Sequence, residues 1–268
     1  MKTTGHEGAH MNNDPAEVEV DIRSTPDAVI AAAAERLITA AAVAIAAAGR
    51  FVLALSGGAT PRALYALLAT PPYAARLDWT RVQAFWGDER CLPPDHADSN
   101  YRMARETLLD HVPILPANVH RVRGEDPPAE AAAAYERELR ATFSQTAWPR
   151  FDLVLLGMGD NGHTASLFPG LTAVREATRW AVAEYVAAVS MWRVTLTPPV
   201  LNGAAEVLFV ATGQEKAQTL RRVLEGPLLP DQLPAQVVRP PRGRVTWLVD
   251  AAAAAHLTLA RRGHEVTT

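Results

Sequence analysis

Cysteine is almost absent from this chain of 268 residues, and neither sign of charge predominates. The single thiol, Cys91, cannot form a disulfide within the chain, which is typical of proteins in a reducing compartment, so we expect a cytoplasmic location. The formal net charge is only −3, and acidic and basic residues are spread along the chain. This balance provides no bulk attraction to nucleic acid or to an anionic membrane surface, and we expect neither as a partner.

Three further patterns are missing. No Cys/His cluster has zinc-ligand spacing, so we expect no metal site. The first residues are polar and lack the apolar core of a signal peptide, and residues 1–16 are predicted to be a flexible N-terminal tail. The alanine-rich run at residues 28–48 contains Glu35 and Arg36, and alanine is only weakly apolar. This composition favours a helix of a globular protein over a membrane span.

What the sequence contains is a repeated order of a short apolar run, a glycine-rich or acidic loop and, in most cases, a helical pattern. The apolar runs are residues 51–55, 82–86, 152–156, 207–211 and 245–249. Helical patterns precede residue 51, follow the loops at residues 61–69 and 216–224, and begin again at residues 129 and 251. Apolar runs without alternation indicate strands buried on both faces, and their alternation with helices indicates a parallel sheet.

The positions of the loops predict where a ligand binds. In open α/β sheets, ligands bind beyond the carboxyl ends of the strands, and each of these loops follows a predicted strand. We therefore expect the loops to converge on one crevice. No break in composition divides the chain, so residues 17–268 are predicted to form a single α/β domain.

The first loop, residues 56–61, reads SGGATP. Gly57 and Gly58 allow a tight turn, Thr60 is predicted to be the N-cap, and Pro61 suits the first helical turn. Together with Ser56, these residues place free N–H groups and a positive helix dipole at one point, which favours a phosphate. An ordinary strand–helix turn is the alternative, and the Gly-Lys-Ser/Thr ending of a Walker loop is missing.

The loop at residues 157–163 reads GMGDNGH and contains a literal GxGxxG. A dinucleotide site requires a helix directly after this pattern, but Pro169 and Gly170 interrupt the segment after a few residues. We instead interpret the loop as one that presents His163 to the crevice, where histidine is the usual general base near neutral pH. A hydrogen-bonded structural histidine is the alternative.

Three charged residues, Asp88, Glu89 and Arg90, directly follow the second apolar run. The two carboxylates are candidates for binding sugar hydroxyls, and Arg90 is a candidate for binding a phosphate or polarising a carbonyl. A solvated turn is the alternative. Nothing nearby in the sequence marks the adjacent Cys91 as an activated nucleophile.

Two more cations, Arg193 in a possible strand and Lys216 at the start of a helical pattern, could add charge for a phosphate monoester. Each is a surface cation in the simpler interpretation. Ser56 and Ser166 are possible nucleophiles, but neither lies in a GxSxG elbow, so a serine-hydrolase mechanism is not favoured.

Several segments together resemble the glucosamine-6-phosphate isomerase/6-phosphogluconolactonase family, and within it the lactonases. They are residues 55–61, residues 86–90 with His96 and residues 99–101, residues 157–169 (GMGDNGHTASLFP), residues 193–202 and residues 213–217. They occur in the family's order between about residues 51 and 250, and the combination is specific although no single segment is.

The resemblance implies a Rossmann-like α/β fold, shared with glucosamine-6-phosphate deaminases and ribose-5-phosphate isomerases, in which helices cover both faces of a mostly parallel sheet. It also implies hydrolysis of 6-phospho-D-glucono-1,5-lactone, a phosphorylated sugar lactone, without a cofactor. His163 and Arg90 are then expected to be catalytic. The expected substrate-binding residues are Ser56, Gly57, Gly58, Thr60, Asp88, Glu89, Asn161, Arg193 and Lys216. We expect a monomer or a weak homo-oligomer.

Differences from the family pattern sharpen these expectations. Asn161 stands where the family usually has aspartate; because an amide cannot act as a base, we assign it to orientation or sugar binding. Phe168 stands where the related deaminases carry glutamate, and Arg90 where they carry tyrosine, and both differences favour a lactonase. An amino-sugar-phosphate isomerase or deaminase and a non-catalytic sugar-phosphate sensor remain as alternatives. The sensor would need an output module, for which the short N-terminal tail leaves no room.

Overall fold

Two β-sheets organise the chain, as a computed structural model of residues 17–258 shows. The predicted N-terminal tail, residues 1–16, lies outside the described residues, as do residues 259–268. Within the described range the strands are β1 (Glu17–Arg23), β2 (Phe51–Leu55), β3 (Val82–Trp86), β4 (Asp88–Arg90), β5 (Leu153–Leu156), β6 (Ala181–Val186), β7 (Met191–Leu196), β8 (Glu206–Ala211) and β9 (Arg244–Asp250).

The larger sheet has the order β1-β9-β8-β5-β2-β3, and all its strand pairs are parallel. The predicted parallel sheet is therefore confirmed, and all five apolar runs lie in it. The smaller sheet has the order β4-β7-β6 and is antiparallel. Because β4 follows β3 after the single residue Gly87, the smaller sheet begins directly at the carboxyl end of the larger one.

Helices cover both faces of the larger sheet, as expected. The helices within residues 17–258 are α1 (Pro26–Ala48), α2 (Ala59–Leu68), α3 (Pro71–Ala74), α4 (Asn100–Thr107), α5 (Pro128–Thr142), α6 (Pro198–Leu201) and α7 (Ala217–Glu225). Strand β2 shows how the sheet separates two cores: Phe51, Leu53 and Leu55 pack with α1, α2 and α4, whereas Val52 and Ala54 pack with α5 and α7. Alternate side chains of one strand thus enter opposite cores, which is why the run is continuously apolar.

The alanine-rich run forms α1, which begins and ends at well-defined caps. The side chain of Thr25 accepts a hydrogen bond from the backbone N–H of Ala28, and Gly49 ends the helix in the left-handed conformation at φ 71°. By length and composition alone, α1 is the one helix of the described residues that could cross a membrane. Its buried face, from Val29 to Ala44, packs in the core formed with β2, so this apolar stripe already has a protein partner.

The helix expected after β9 is not formed within the described residues, because residues 251–256 form turns. The carboxylate of Asp250 accepts hydrogen bonds from the backbone N–H groups of Ala253 and Gly213. It thus binds the turn after β9 to the loop after β8, a contact that alanine content does not predict.

Candidate active site

A cavity of about 190 Å³ opens at the carboxyl ends of β2 and β5, next to the smaller sheet. Its walls are Ser56, Gly57, Gly58, Asp88, Arg90, Asn100, Gly157, Met158, Gly159, His163, Ala165 and Arg193. The glycine loops after β2 and β5 and the charged strand β4 therefore meet in one place, as predicted, whereas the loops after β8 and β9 contribute no residue to these walls. No cluster of three or more His, Cys, Asp or Glu side chains suited to a metal ion occurs in residues 17–258.

The loop after β2 is held rigidly. The Tyr65 hydroxyl, fully buried on α2, donates to the carbonyl oxygen of Ser56 at 2.8 Å and accepts from the Ser56 N–H at 2.9 Å. A Cβ atom on Gly57 would lie 1.8 Å from Oδ1 of Asn100, and Gly58 has a φ of 108°. Both glycines are thus required by the shape of the loop. Tyr65 carries no sequence signal for this role, since it lies in an ordinary helical pattern.

The predicted N-cap at Thr60 is wrong. Helix α2 begins at Ala59 with Gly58 as its N-cap, and no side chain caps it. The positive φ of Gly58 turns the chain one residue earlier than the Thr-Pro pair suggests, so Thr60 lies inside the first turn. Its hydroxyl lies 3.3 Å from that of Thr212, and Thr60 is not among the residues that line the cavity.

His163 lies in the cavity wall with its ring fixed on two sides. Its Nδ1 lies 2.6 Å from Oδ1 of Asn161, and the ring stacks on Phe168 with centroids 4.0 Å apart and planes 14° apart. A Cβ atom on Gly159 would lie 2.0 Å from the imidazole, so the stacked position requires glycine there. Burial lowers the pKa of His163 to about 4, and the charge of Asp88 opposes part of this shift. The imidazole is therefore uncharged at neutral pH.

Asp88 lines the cavity, is 6% exposed and has several partners. The Ser166 hydroxyl donates to its Oδ2 at 2.5 Å, and Nη1 of Arg193 lies 3.7 Å from the same oxygen. The Asn100 side chain donates to its backbone carbonyl oxygen at 3.0 Å. Ser166 is itself fully buried and engaged with this carboxylate, which argues against a nucleophilic role.

Arg90 and Arg193 are directly opposite each other in the β4–β7 pair, and both line the cavity. Like charges across a strand pair destabilise each other. The Nε atom of each is buried and has no hydrogen-bond partner among the described residues, whereas a terminal nitrogen of Arg90 donates to the carbonyl oxygen of Asp98. Burial lowers the pKa of Arg193. Two adjacent guanidinium groups with free donors are well suited to a negatively charged ligand.

Glu89 does not line the cavity, contrary to its predicted role with sugar hydroxyls. Its carboxylate, 2% exposed, accepts hydrogen bonds from the backbone N–H groups of Asn100 and Tyr101 and from the Ser99 hydroxyl, at the N-terminus of α4. Burial raises its pKa, and the amide donors counteract this. Neighbouring strand residues point to opposite faces, so Glu89 is directed away from the side on which Asp88 and Arg90 lie.

Lys216 directly precedes α7 and forms an ion pair with Asp160. It is not among the cavity-lining residues, but its charge helps to lower the pKa of His163, which places it near the imidazole. Asn161 is exposed beside Asp160 on the same loop. Lys216 and Asn161, both predicted to bind substrate, therefore lie at the rim of the cavity.

Asn100 is a lining residue that reasoning from single residues missed. It is 2% exposed, and its side chain contacts both Gly57 and the backbone of Asp88. It thus connects the loop after β2 with β4. The only signal was its place in residues 99–101, which were part of the resemblance but received no role.

Comparisons with known proteins show the family of this chain. The sequence profile of the family described as glucosamine-6-phosphate isomerases/6-phosphogluconolactonase matches residues 24–247. A 6-phosphogluconolactonase of Nostoc sp. is 40% identical over 243 residues, covering 90% of this chain and 98% of that protein. The human 6-phosphogluconolactonase is 39% identical over 265 residues, covering 93% and 98%.

Solved structures show the same architecture. The 6-phosphogluconolactonase from Trypanosoma cruzi superposes with a TM-score of 0.81 at 30% identity, covering 94% of this chain and all of that one (100%). A monomeric glucosamine-6-phosphate deaminase superposes with a TM-score of 0.73 at 24% identity, covering 89% and 100%, which shows a common fold alone.

Proposed function

The chain belongs to the glucosamine-6-phosphate isomerase/6-phosphogluconolactonase family and is a hydrolase, and we propose that its cavity hydrolyses 6-phospho-D-glucono-1,5-lactone to 6-phospho-D-gluconate with His163 as the general base. This reaction is the second step of the oxidative pentose phosphate pathway. The observation that carries the proposal is that one cavity combines an uncharged imidazole with a glycine loop at a helix N-terminus and two arginines.

The phosphate group is assigned to the loop after β2. Ser56, Gly57 and Gly58 line the cavity where α2 begins, so free backbone N–H groups and the positive end of the helix dipole favour an anion there. Arg193 adds a guanidinium from β7, and Lys216 supplies an ammonium group when it leaves Asp160. Binding the remote phosphate positions the lactone carbonyl against the base.

The chemistry is the hydrolysis of a cyclic ester. Nε2 of His163 takes a proton from water while the water oxygen attacks C1, and the carbonyl oxygen becomes an alkoxide. Arg90, with its free Nε donor, stabilises this developing charge. The C1–ring oxygen bond then breaks, and His163 returns the proton to the ring oxygen. The product is an open-chain acid that ionises to the carboxylate, and no step uses a cofactor.

The test is a rapid coupled assay with freshly generated lactone, in which spontaneous hydrolysis is measured and subtracted. His163→Ala is expected to lose a factor of about 10²–10⁴ in rate, the usual contribution of a general base. The control is His111→Ala, because His111 is exposed and its ring contacts the backbone carbonyl oxygen of Glu106, away from the cavity walls. A His163→Ala enzyme as fast as the wild type would refute the assignment, and ammonia release from glucosamine 6-phosphate would support a deaminase instead.

A further inference from the structure

The side-chain amide of Asn161 makes two contacts with His163 through the same atom. Oδ1 accepts the backbone N–H of His163 at 3.1 Å and lies 2.6 Å from Nδ1 of the ring. A backbone N–H can only donate, so the atom facing it must be the oxygen. Turning the amide over would place its NH₂ group against that N–H, with two donors facing each other. The backbone of His163 therefore fixes which end of Asn161 its own ring meets.

This orientation decides the position of the ring proton. An amide oxygen carries no hydrogen, so the short contact to Nδ1 requires that Nδ1 carry the proton. In the neutral imidazole, Nε2 is then the unprotonated nitrogen. An Asn that presents its NH₂ group would produce the opposite tautomer, an error that costs about 10⁴ in kcat in a serine-protease triad.

The charged groups around His163 come from four elements. Asp88 on β4 and Asp160 on the histidine's own loop favour the protonated ring, whereas Arg193 on β7 and Lys216 before α7 disfavour it. Phe168 covers one face of the ring and excludes water from it. The partner closest to the ring, Asn161, is uncharged. The two acids and the two cations act in opposite directions on the pKa of His163, and burial is the largest single influence on it.

We propose that Asn161 is a positioning residue that fixes the reactive tautomer of His163 and, because it is uncharged, keeps this base unprotonated in acidic solution. The proposal rests on the proposed function of His163. A carboxylate in the same place, as in the usual family pattern, would accept the same proton but would also stabilise the imidazolium. Asn161 therefore supplies orientation without the charge, and the enzyme gains a weaker base that stays available at lower pH.

The sign of the pH dependence follows from the lowered pKa of His163, which is about 4. The base is available above this value, and kcat/KM falls about tenfold for each pH unit below it. In Asn161→Asp, an adjacent carboxylate is expected to raise the pKa of His163 by about 1–3 units. The acidic limb of the kcat/KM profile then moves upward by the same amount. For a two-unit shift, the variant loses about tenfold in kcat/KM at pH 5 relative to the wild type.

The experiment measures kcat and KM from pH 4 to pH 8 for the wild type, Asn161→Asp and Asn161→Ala. Gln145→Glu is the matched control, since it adds the same charge at an exposed site after α5. In Asn161→Ala the tautomer is no longer fixed, so kcat should fall while KM changes little. In parallel, nitrogen chemical shifts of the histidine rings are recorded by NMR through the same pH range, and His163 is assigned by the signals lost in His163→Gln.

The NMR measurement separates the two proposals, because it does not depend on turnover. A wild-type protein without lactonase activity, whose His163 nevertheless carries its proton on Nδ1 and titrates well below the usual range, would refute the proposed function and support the role of Asn161. A proton on Nε2, or an acidic limb that Asn161→Asp leaves in place while the fold is intact, would overturn the role of Asn161. A shift of similar size in Gln145→Glu would also overturn it, because a general charge effect would then suffice.

Discussion

Strand β4 of the smaller sheet and the central strands of the larger sheet use their buried positions in opposite ways. In the larger sheet, the central strands bury apolar side chains on both faces, as in β2 and β5. In the smaller sheet, β4 buries the carboxylates of Asp88 and Glu89, and its neighbour β7 brings Arg193 to the same cavity. The first arrangement gains free energy from removing apolar surface from water, and the second spends part of it on desolvating charges. Stability and chemistry are therefore separable. Variants in the larger sheet should change the free energy of unfolding, whereas variants around the cavity should change activity.

The largest expected effect is on stability, in the larger sheet. Leu53, 1% exposed at the centre of β2, packs in the core formed with α1 and α2. Leu53→Ala should lower the free energy of unfolding by about 2–5 kcal/mol, because it removes buried methyl groups and leaves a cavity. The folded fraction should keep its kcat. Urea unfolding and activity per folded molecule measure the two quantities, and Val43→Ala, at a position 65% exposed on α1, is the control. A core variant that remained folded but lost kcat would contradict the separation of stability from activity.

Gly159→Ala is expected to lower the rate of the reaction, by a smaller free-energy difference than the loss of stability in Leu53→Ala. The added Cβ would lie 2.0 Å from the His163 ring, which must then leave its stacked position. Displacing a reacting group by about 1 Å can cost about 10²-fold in rate. Gly87→Ala is the matched control at the end of β3, where the nearest atom would be 3.6 Å away, an ordinary contact. The variant's kcat and Tm are measured together, and a loss of Tm with unchanged kcat would contradict the prediction.

The smallest effect is expected at the rim of the cavity. Lys216→Ala should raise KM by about tenfold and leave kcat nearly unchanged, since a charge-assisted contact to phosphate contributes about 1.5–3 kcal/mol at most. The effect should weaken with added salt because the pair is partly exposed. Steady-state kinetics at two ionic strengths provide the measurement. Arg76→Ala removes a cation from an exposed ion pair with Glu35 and is the control. Unchanged saturation behaviour would remove Lys216 from the phosphate site.

The sequence predicts structure best where a local pattern, such as a continuous apolar run or a glycine-rich loop, determines it. The five continuous apolar runs predicted the parallel strands, and the loops after β2 and β5 predicted the cavity with His163 in its wall. The strands of the smaller sheet were harder to predict. The three residues of β4 are all charged and suggest a turn, and Glu89 is buried because its carboxylate accepts from the N–H of Arg90 as well as from donors at residues 99–101. Such partners lie about ten residues away in the chain, and local patterns cannot identify them.

The helix ends and the edge strand of the larger sheet are likewise poorly predicted by local sequence patterns. The position of the α2 N-terminus depends on the positive φ of Gly58, which the Thr-Pro pair conceals. Edge strand β1 (EVEVDIR) alternates charged and apolar residues and lacks the continuous run that marked the inner strands. The alanines after Asp250 have the composition of a helix, but residues 251–256 form turns, although the carboxylate of Asp250 accepts the N–H of Ala253 as a helix N-cap would. Composition alone therefore does not determine where these helices and edge strands begin and end.

The contact between Gly57 and Asn100 has a consequence for redesign. The glycine leaves room for the amide, the amide is anchored to the backbone of β4, and Glu89 holds the start of the helix that carries it. The loop after β2, strand β4 and the start of α4 thus determine the depth of the pocket through their contacts with one another. A single substitution that enlarges the pocket for a longer substrate would disturb the contacts between these three segments together. A usable new shape requires paired changes at positions 57 and 100, selected together in a two-site library.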